Sequence, residues 1–109
     1  MTTMKSLLLA AALGLSAMTI ASAATYNVVL AAPTKAGNAQ LDPGSYKLNV
    51  NGRIATFTNI DTNRAVMVVV HLDNSSALFN RTAVEFKDED GAQRIESIEL
   101  ENSVNKLEF

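Results

Sequence analysis

Turn-forming residues recur at short, regular intervals along this chain, and their spacing strongly constrains the fold. Four glycines stand in turn contexts: Ala36-Gly37-Asn38, Asp42-Pro43-Gly44, Asn51-Gly52 and Asp90-Gly91. Between these turns apolar residues alternate with a period of two, as in strands that bury one face. No helical periodicity extends beyond about two turns. Downstream of residue 23 we therefore predict an all-β fold, a small antiparallel β-sandwich or partly closed barrel of roughly seven to eight short strands.

The first 23 residues have the pattern of a secretory signal peptide. Lys5 supplies a positive charge, residues 7–15 form an apolar run, and Ala21-Ser22-Ala23 matches the small-residue cleavage motif. The run is shorter than the ~20 residues that a membrane-spanning helix needs. We predict a signal helix at residues 1–23 and a single secreted or periplasmic domain at residues 24–109, with no membrane span after cleavage. An uncleaved anchor is the alternative.

Charge and cysteine content narrow the class further. The 109-residue chain has 9 basic and 11 acidic residues, and loss of Lys5 with the signal changes the net charge from −2 to −3. A mildly acidic surface argues against nucleic acid as a partner. The chain has no cysteine, so core packing alone must stabilise the domain.

A hairpin is predicted around Asn51-Gly52. Residues 45–50 alternate cleanly, and Asn-Gly favours a type I′ turn with a two-residue loop. That register places Tyr46 opposite Phe57 on the buried face. A four-residue loop keeps the same face and moves Phe57 opposite Leu48.

Residues 65–72 form the longest apolar run after the signal, predicted to be one strand covered on both sides. Val66, Val68, Val70 and Leu72 face the core. Met67, Val69 and His71 occupy the other face. Either residues 31–40 fold across Met67 and Val69, or these side chains form an exposed patch that binds a partner. Coverage is favoured because a bare β-branched strand promotes aggregation.

The C-terminal part contains one phase break. Residues 73–76 are predicted to be a loop, after which Thr82, Val84 and Phe86 face inward. In residues 93–100, Ile95 falls out of phase with Ile98 and Leu100. A β-bulge near Glu96 or Ser97 would restore the phase.

The tract Leu41-Asp42-Pro43-Gly44-Ser45-Tyr46-Lys47-Leu48-Asn49-Val50 resembles the L-x-P-G-x-Y-x-L-x-V hairpin of transthyretin-like and carboxypeptidase-regulatory-like domains. This resemblance implies a secreted seven-stranded sandwich. Over its mature length the chain is also similar to small uncharacterised secreted bacterial β proteins, with Pro33-Thr34 and Leu107-Glu108-Phe109 at the outer positions of their pattern. Neither resemblance implies site residues.

His71 is the one histidine of the chain. Asp73 follows two residues later on the same strand face, so a small hydrolase using His71 and Asp73 is one alternative. A hydrogen-bonded structural role is favoured, because the sequence has no G-x-S-x-G nucleophile motif.

The acidic tract Asp88-Glu89-Asp90-Gly91 suggests oxygen ligands for calcium. When its glycine is aligned with that of an EF-hand loop, however, Phe86 and Ser97 fall at the first and last ligand positions. A solvated hairpin turn is therefore predicted, with no metal and no cofactor.

Aromatic side chains that stack on sugars define a second alternative, a carbohydrate-binding module. Phe79 is the one aromatic residue outside a clear strand pattern. The favoured hypothesis is a non-catalytic domain that binds a protein partner, an envelope component or a second copy of itself, as a homo-oligomer. Its candidate surface comprises Met67, Val69, His71 and Phe79.

Overall fold

The computed structural model describes residues 24–109, which form ten strands and no helix. The predicted signal helix at residues 1–23 lies outside the described residues. Within the described part, no helix is long and apolar enough to cross a membrane. The strands are β1 (Ala24–Leu30), β2 (Thr34–Ala36), β3 (Ala39–Leu41), β4 (Gly44–Asn51), β5 (Ile54–Asn59), β6 (Ala65–Val69), β7 (His71–Phe79), β8 (Ala83–Glu89), β9 (Ala92–Glu99) and β10 (Ser103–Glu108).

The strands belong to two sheets, which confirms the all-β prediction. The four-stranded sheet has the antiparallel order β1-β4-β5-β6. In the six-stranded sheet, β8 pairs along one side of β9, whereas β2 and β10 share its other side. β3 and β7 extend this sheet beyond β2 and β10. The sheets remain separate and open, as in a sandwich. There are more strands than predicted because β2 forms a separate short strand and the predicted strand at residues 65–72 is divided between β6 and β7.

One hydrophobic core joins the sheets. The fully buried ring of Phe57 in β5 meets Tyr46 edge-on, with ring centroids 6.3 Å apart. Its centroid lies 6.1 Å from that of Phe109, which follows β10 in the other sheet. Aromatic contacts of this kind stabilise beyond the burial of their area. The remaining buried apolar side chains are Val28, Leu30, Ala36, Leu41, Leu48, Ala55, Val68, Val70, Ile95, Ile98, Leu100 and Leu107.

The β4–β5 hairpin adopts the second register considered above. Leu48 lies opposite Phe57, and Tyr46 lies opposite Asn59. The prediction of Tyr46 opposite Phe57 is therefore wrong, although both rings occupy the predicted buried face. Adjacent positions on one face still bring the two rings into contact.

The turn of this hairpin also differs from the prediction. Asn51 pairs with Ile54, so Gly52 and Arg53 form the loop. Among these residues only Gly52 has a positive φ, 62°, which is the pattern of a type II′ turn. A hairpin loop with positive φ at both residues occurs instead at Asp90-Gly91, with φ values of 55° and 80°.

The Asp42-Pro43-Gly44 turn is stabilised by a side chain of β4, the strand that follows it. The Tyr46 hydroxyl donates to the Asp42 carbonyl at 2.6 Å, as tyrosine corners do in other sandwiches. Gly44 has φ 150°, and a Cβ there would lie 3.0 Å from Nδ2 of Asn59. These two constraints explain why tyrosine and glycine stand at these positions.

The predicted bulge in β9 is confirmed. Phe86 pairs with Ile95 and Glu85 with Ser97, so Glu96 is the extra residue. This insertion returns Ile95 and Ile98 to the same buried face. Phe86 itself is exposed, contrary to the prediction, because β8 is an edge strand of its sheet.

The apolar run at residues 65–72 is divided between the sheets. β6 ends at Val69, the backbone N–H of Val70 donates to Arg53, and β7 begins in the other sheet. Leu72 lies opposite Leu107 on an edge strand and remains 43 % exposed, so its predicted burial is wrong. The loop predicted at residues 73–76 is strand, because β10 pairs with Asp73 and its neighbours.

Candidate functional site

Three apolar side chains form an exposed cluster on the outer face of the four-stranded sheet, which we call the apolar outer patch. Met67 is 71 % exposed, Val69 is 67 % exposed and Ile54 is 36 % exposed. Ile54 lies directly opposite Val69, and Thr56 lies opposite Met67. The strand pairing therefore holds the patch on a rigid surface.

The predicted coverage of Met67 and Val69 by residues 31–40 is wrong. The β2–β3 turn approaches β6 from the core side, where a Cβ on Gly37 would lie 3.0 Å from Cγ1 of Val68. Val68 is buried, whereas its neighbours on both sides face solvent. Side chains alternate between the two faces of β6. The loop that contacts Val68 on the core face therefore cannot also cover Met67 and Val69 on the outer face.

The remaining two residues of the predicted surface lie elsewhere. His71 is exposed on β7 opposite Glu108, in the six-stranded sheet. Phe79, at the other end of β7, is half-buried and lines a cavity of about 320 Å³ with Asp73, Glu99 and Lys106 among others. The four predicted residues therefore do not form one surface.

Sequence reasoning missed Ile54 as a member of the patch. The alternating pattern contains this information, because inward-facing Ala55 and Phe57 place Ile54 and Thr56 on the outer face. The contact with Val69 was not available from local pattern, since it depends on the pairing of β5 with β6.

For the hydrolase alternative, the candidate nucleophile two strands from His71 in the six-stranded sheet is Ser97. Across the strands, His71 pairs with Glu108, and Glu108 pairs with Ser97. Ser97 is only 3 % exposed, and its hydroxyl donates to Oε1 of Glu85 at 3.1 Å. Because its proton is directed away from the histidine and solvent barely reaches its oxygen, this serine is not placed to attack a substrate.

The acidic tract at residues 88–91 forms a hairpin turn between β8 and β9. Glu89 in this tract forms an ion pair with Arg94, in which Oε1 of Glu89 lies 3.5 Å from Nη1 of Arg94. Among residues 24–109, no group of three or more acidic or histidine side chains is arranged to hold a metal ion.

Three cations form a row on the outer face of the six-stranded sheet. Lys35 lies opposite Arg94, and Arg94 lies opposite Lys87. Like charges directly opposite each other destabilise a sheet. Arg94, however, is already paired with Glu89, which reduces the attraction of this row for an anionic ligand.

Tyr26 in β1 has a raised pKa, because burial disfavours the phenolate and the negative charge of Glu101 adds to that effect. Its hydroxyl therefore stays protonated at neutral pH and does not supply a base.

Aromatic exposure bears on the carbohydrate alternative. Tyr46 and Phe57 are buried, Phe79 is half-buried, and among residues 24–109 Phe86 is the one largely exposed aromatic side chain. A flat sugar-stacking platform requires several exposed rings in one plane, and these positions do not provide it.

Comparison of the chain with protein-family models, with curated proteins and with solved structures returned no significant match.

Proposed function

We propose that the chain is an exported, non-catalytic β-sandwich domain that binds a partner protein through the apolar outer patch. The observation that carries this proposal is the exposure of Met67 and Val69, at 71 % and 67 %, on a sheet face held in fixed register. Exposed apolar side chains that adjoin one another on a soluble domain commonly mark an interaction site. Methionine suits such a site because its thioether is flexible and polarisable.

The surroundings of the patch favour a protein over a charged ligand. The outer face beside it carries Asn49, Thr56 and Thr58, which are uncharged and half-exposed, together with the single cation Lys47 opposite Thr58. An apolar centre with a polar rim is the usual composition of a protein interface.

A photo-crosslinking amino acid at Met67, introduced in the cells that make the protein, tests the proposal. We expect a protein adduct at Met67 and none at Lys87, an exposed control position on β8 of the other sheet. Adding Val69→Asp should abolish the adduct at Met67, because a carboxylate in the patch must be desolvated on binding. Equal adducts at both positions, or an adduct at Met67 that persists with Val69→Asp, would contradict the proposal.

Export itself makes a separate prediction. We expect cleavage after Ala23, because small residues occupy the −3 and −1 positions that signal peptidase recognises. The intact mass of the exported protein should then correspond to a chain that starts at Ala24. A mature mass that still includes Lys5 would show that the segment is retained.

A further inference from the structure

Backbone hydrogen bonds at both ends of the β5–β6 ladder establish which groups of β6 face solvent. The N–H of Asn59 donates to the carbonyl of Arg64, and the N–H of Val70 donates to that of Arg53, each at 2.8 Å. Hydrogen-bonded pairs alternate along an antiparallel ladder. The backbone groups of Val66 and Val68 therefore point toward β5, whereas those of Ala65, Met67 and Val69 point outward.

β6 is the last strand of its sheet, so these outward groups line a free edge. Within residues 24–109, no backbone hydrogen bond from another element reaches them. Met67 and Val69 thus present both an exposed apolar side chain and unpaired backbone groups.

The edges of the six-stranded sheet at β7 and β8 carry charges that discourage pairing, whereas β1 and β6, the two edges of the four-stranded sheet, carry none. Of these two uncharged edges, β6 is the one that borders a groove. β8 ends in Lys87, Asp88 and Glu89, and β7 begins with His71 and contains Asp73. The β6 sequence AVMVV has no charge, no proline and no bulge. Natural edge strands normally use such features against association, and their absence here indicates an edge that is kept open for a partner strand.

A groove runs beside this edge. It has a volume of about 410 Å³ and lies between β6 and the β2–β3 turn, with Gly37, Asn38 and Ala39 on the side facing Met67, Val68 and Val69. An extended segment of a partner could therefore form backbone hydrogen bonds with the β6 edge and place side chains in the adjoining groove.

On the basis of the proposed function, we infer that the partner contributes an extended, uncharged, β-branched segment that pairs with β6 as a fifth strand of the four-stranded sheet. Strand addition uses main-chain bonds for affinity and alternate side-chain contacts for specificity. A second copy of this chain is the weaker candidate. Two five-residue edges, each about 16 Å long, would bury far less than the ~800 Å² per partner of a stable dimer.

The test titrates the 15N-labelled domain with the peptide acetyl-Lys-Thr-Val-Thr-Val-Thr-Lys-amide, in which an uncharged β-branched segment is flanked by one lysine at each end for solubility. We expect the amides of Met67 and Val69 to shift and to gain protection from hydrogen exchange, while the Val68 amide, already bonded to β5, changes little. The same peptide N-methylated at alternate residues keeps its side chains and loses its donors. It should bind at least about tenfold more weakly, because each main-chain bond contributes to affinity.

Met67→Pro supplies the matched protein variant. It deletes an outward N–H, which an edge strand tolerates, so the fold should persist and the peptide should no longer bind. Met67→Thr keeps the N–H and should retain binding. Equal affinity for the two peptides, or unchanged binding by Met67→Pro, would overturn strand addition. A wild-type dimer that dissociates on Met67→Pro would overturn the assignment of the occupant in favour of a second copy.

These outcomes separate this inference from the proposed function. With the crosslinker moved to Ile54 on β5, an adduct that survives Met67→Pro would mean that the partner docks on the sheet face and not on its edge. The absence of any adduct at Met67 in the wild-type background would instead refute the proposed function.

Discussion

Tyr46→Ala is expected to lower the free energy of unfolding by about 3–5 kcal/mol, the range for truncating a large buried aromatic side chain. The ring is buried against Phe57 at 6.3 Å, and its hydroxyl bonds the Asp42 carbonyl at 2.6 Å. The substitution therefore creates a cavity and also releases the Asp42 turn. A domain of this size has roughly 5–15 kcal/mol of total stability, so this loss is a large fraction. Urea denaturation followed by circular dichroism measures it.

Tyr46→Phe is the matched control, because it keeps the ring and removes the hydroxyl alone. We expect a loss of about 1 kcal/mol from that variant, the net value of a single hydrogen bond. A cost below about 1 kcal/mol for Tyr46→Ala would contradict the packing described for Tyr46. A cost for Tyr46→Phe equal to that of Tyr46→Ala would mean that the hydroxyl, and not the ring, supplies the stability.

Gly44→Ala is expected to destabilise the domain by about 2–4 kcal/mol, since backbone strain and a steric clash act together. The φ of 150° is one that residues with a Cβ rarely adopt, and the new Cβ would lie 3.0 Å from Nδ2 of Asn59. The Asn59 amide cannot turn away freely. Its Oδ1 accepts hydrogen bonds from the N–H groups of Asp61 and Thr62 at 2.9 and 3.0 Å. Thermal unfolding and urea midpoints report the loss.

Gly52→Ala provides the comparison, because Gly52 also has a positive φ, 62°, but a Cβ there meets nothing within 4 Å. It should cost only about 1 kcal/mol, the conformational penalty of a single left-handed residue. If the two alanine variants were equally stable, the contact with Asn59 would have no energetic role.

Alternation of apolar residues along the sequence is sufficient to predict the all-β fold and the bulge in β9. The phase break at Ile95 predicted the bulge in β9, because only an inserted residue returns Ile95 and Ile98 to one face. The hairpin register was not determined in the same way. Both registers bury Tyr46 and Phe57, so the hydrophobic pattern does not distinguish them. The observed pairing departs from the Asn-Gly preference, since Gly52-Arg53 and not Asn51-Gly52 forms the loop.

The apolar outer patch was only half predictable. Alternation places Met67 and Val69 on the face of the strand that points away from the core. Their exposure, however, depends on which side of β6 the β2–β3 turn contacts. Alternation continued through Val70 places His71 on the same predicted face as Met67 and Val69. The change of sheet at Val70 is a tertiary event without a local sequence signal.

The parallel pairing of β2 with β9 has a consequence for the order of folding. Thr34 accepts a hydrogen bond at 2.9 Å from Gln93, 59 residues further along the chain, whereas all four strands of the other sheet come from residues 24–69. Closing long loops is entropically slower than forming hairpins. A chain that emerges from its N-terminus therefore completes the four-stranded sheet first. Until the last third of the chain arrives, the core face of that sheet is uncovered, and exposed apolar surface of this kind promotes misassembly during folding.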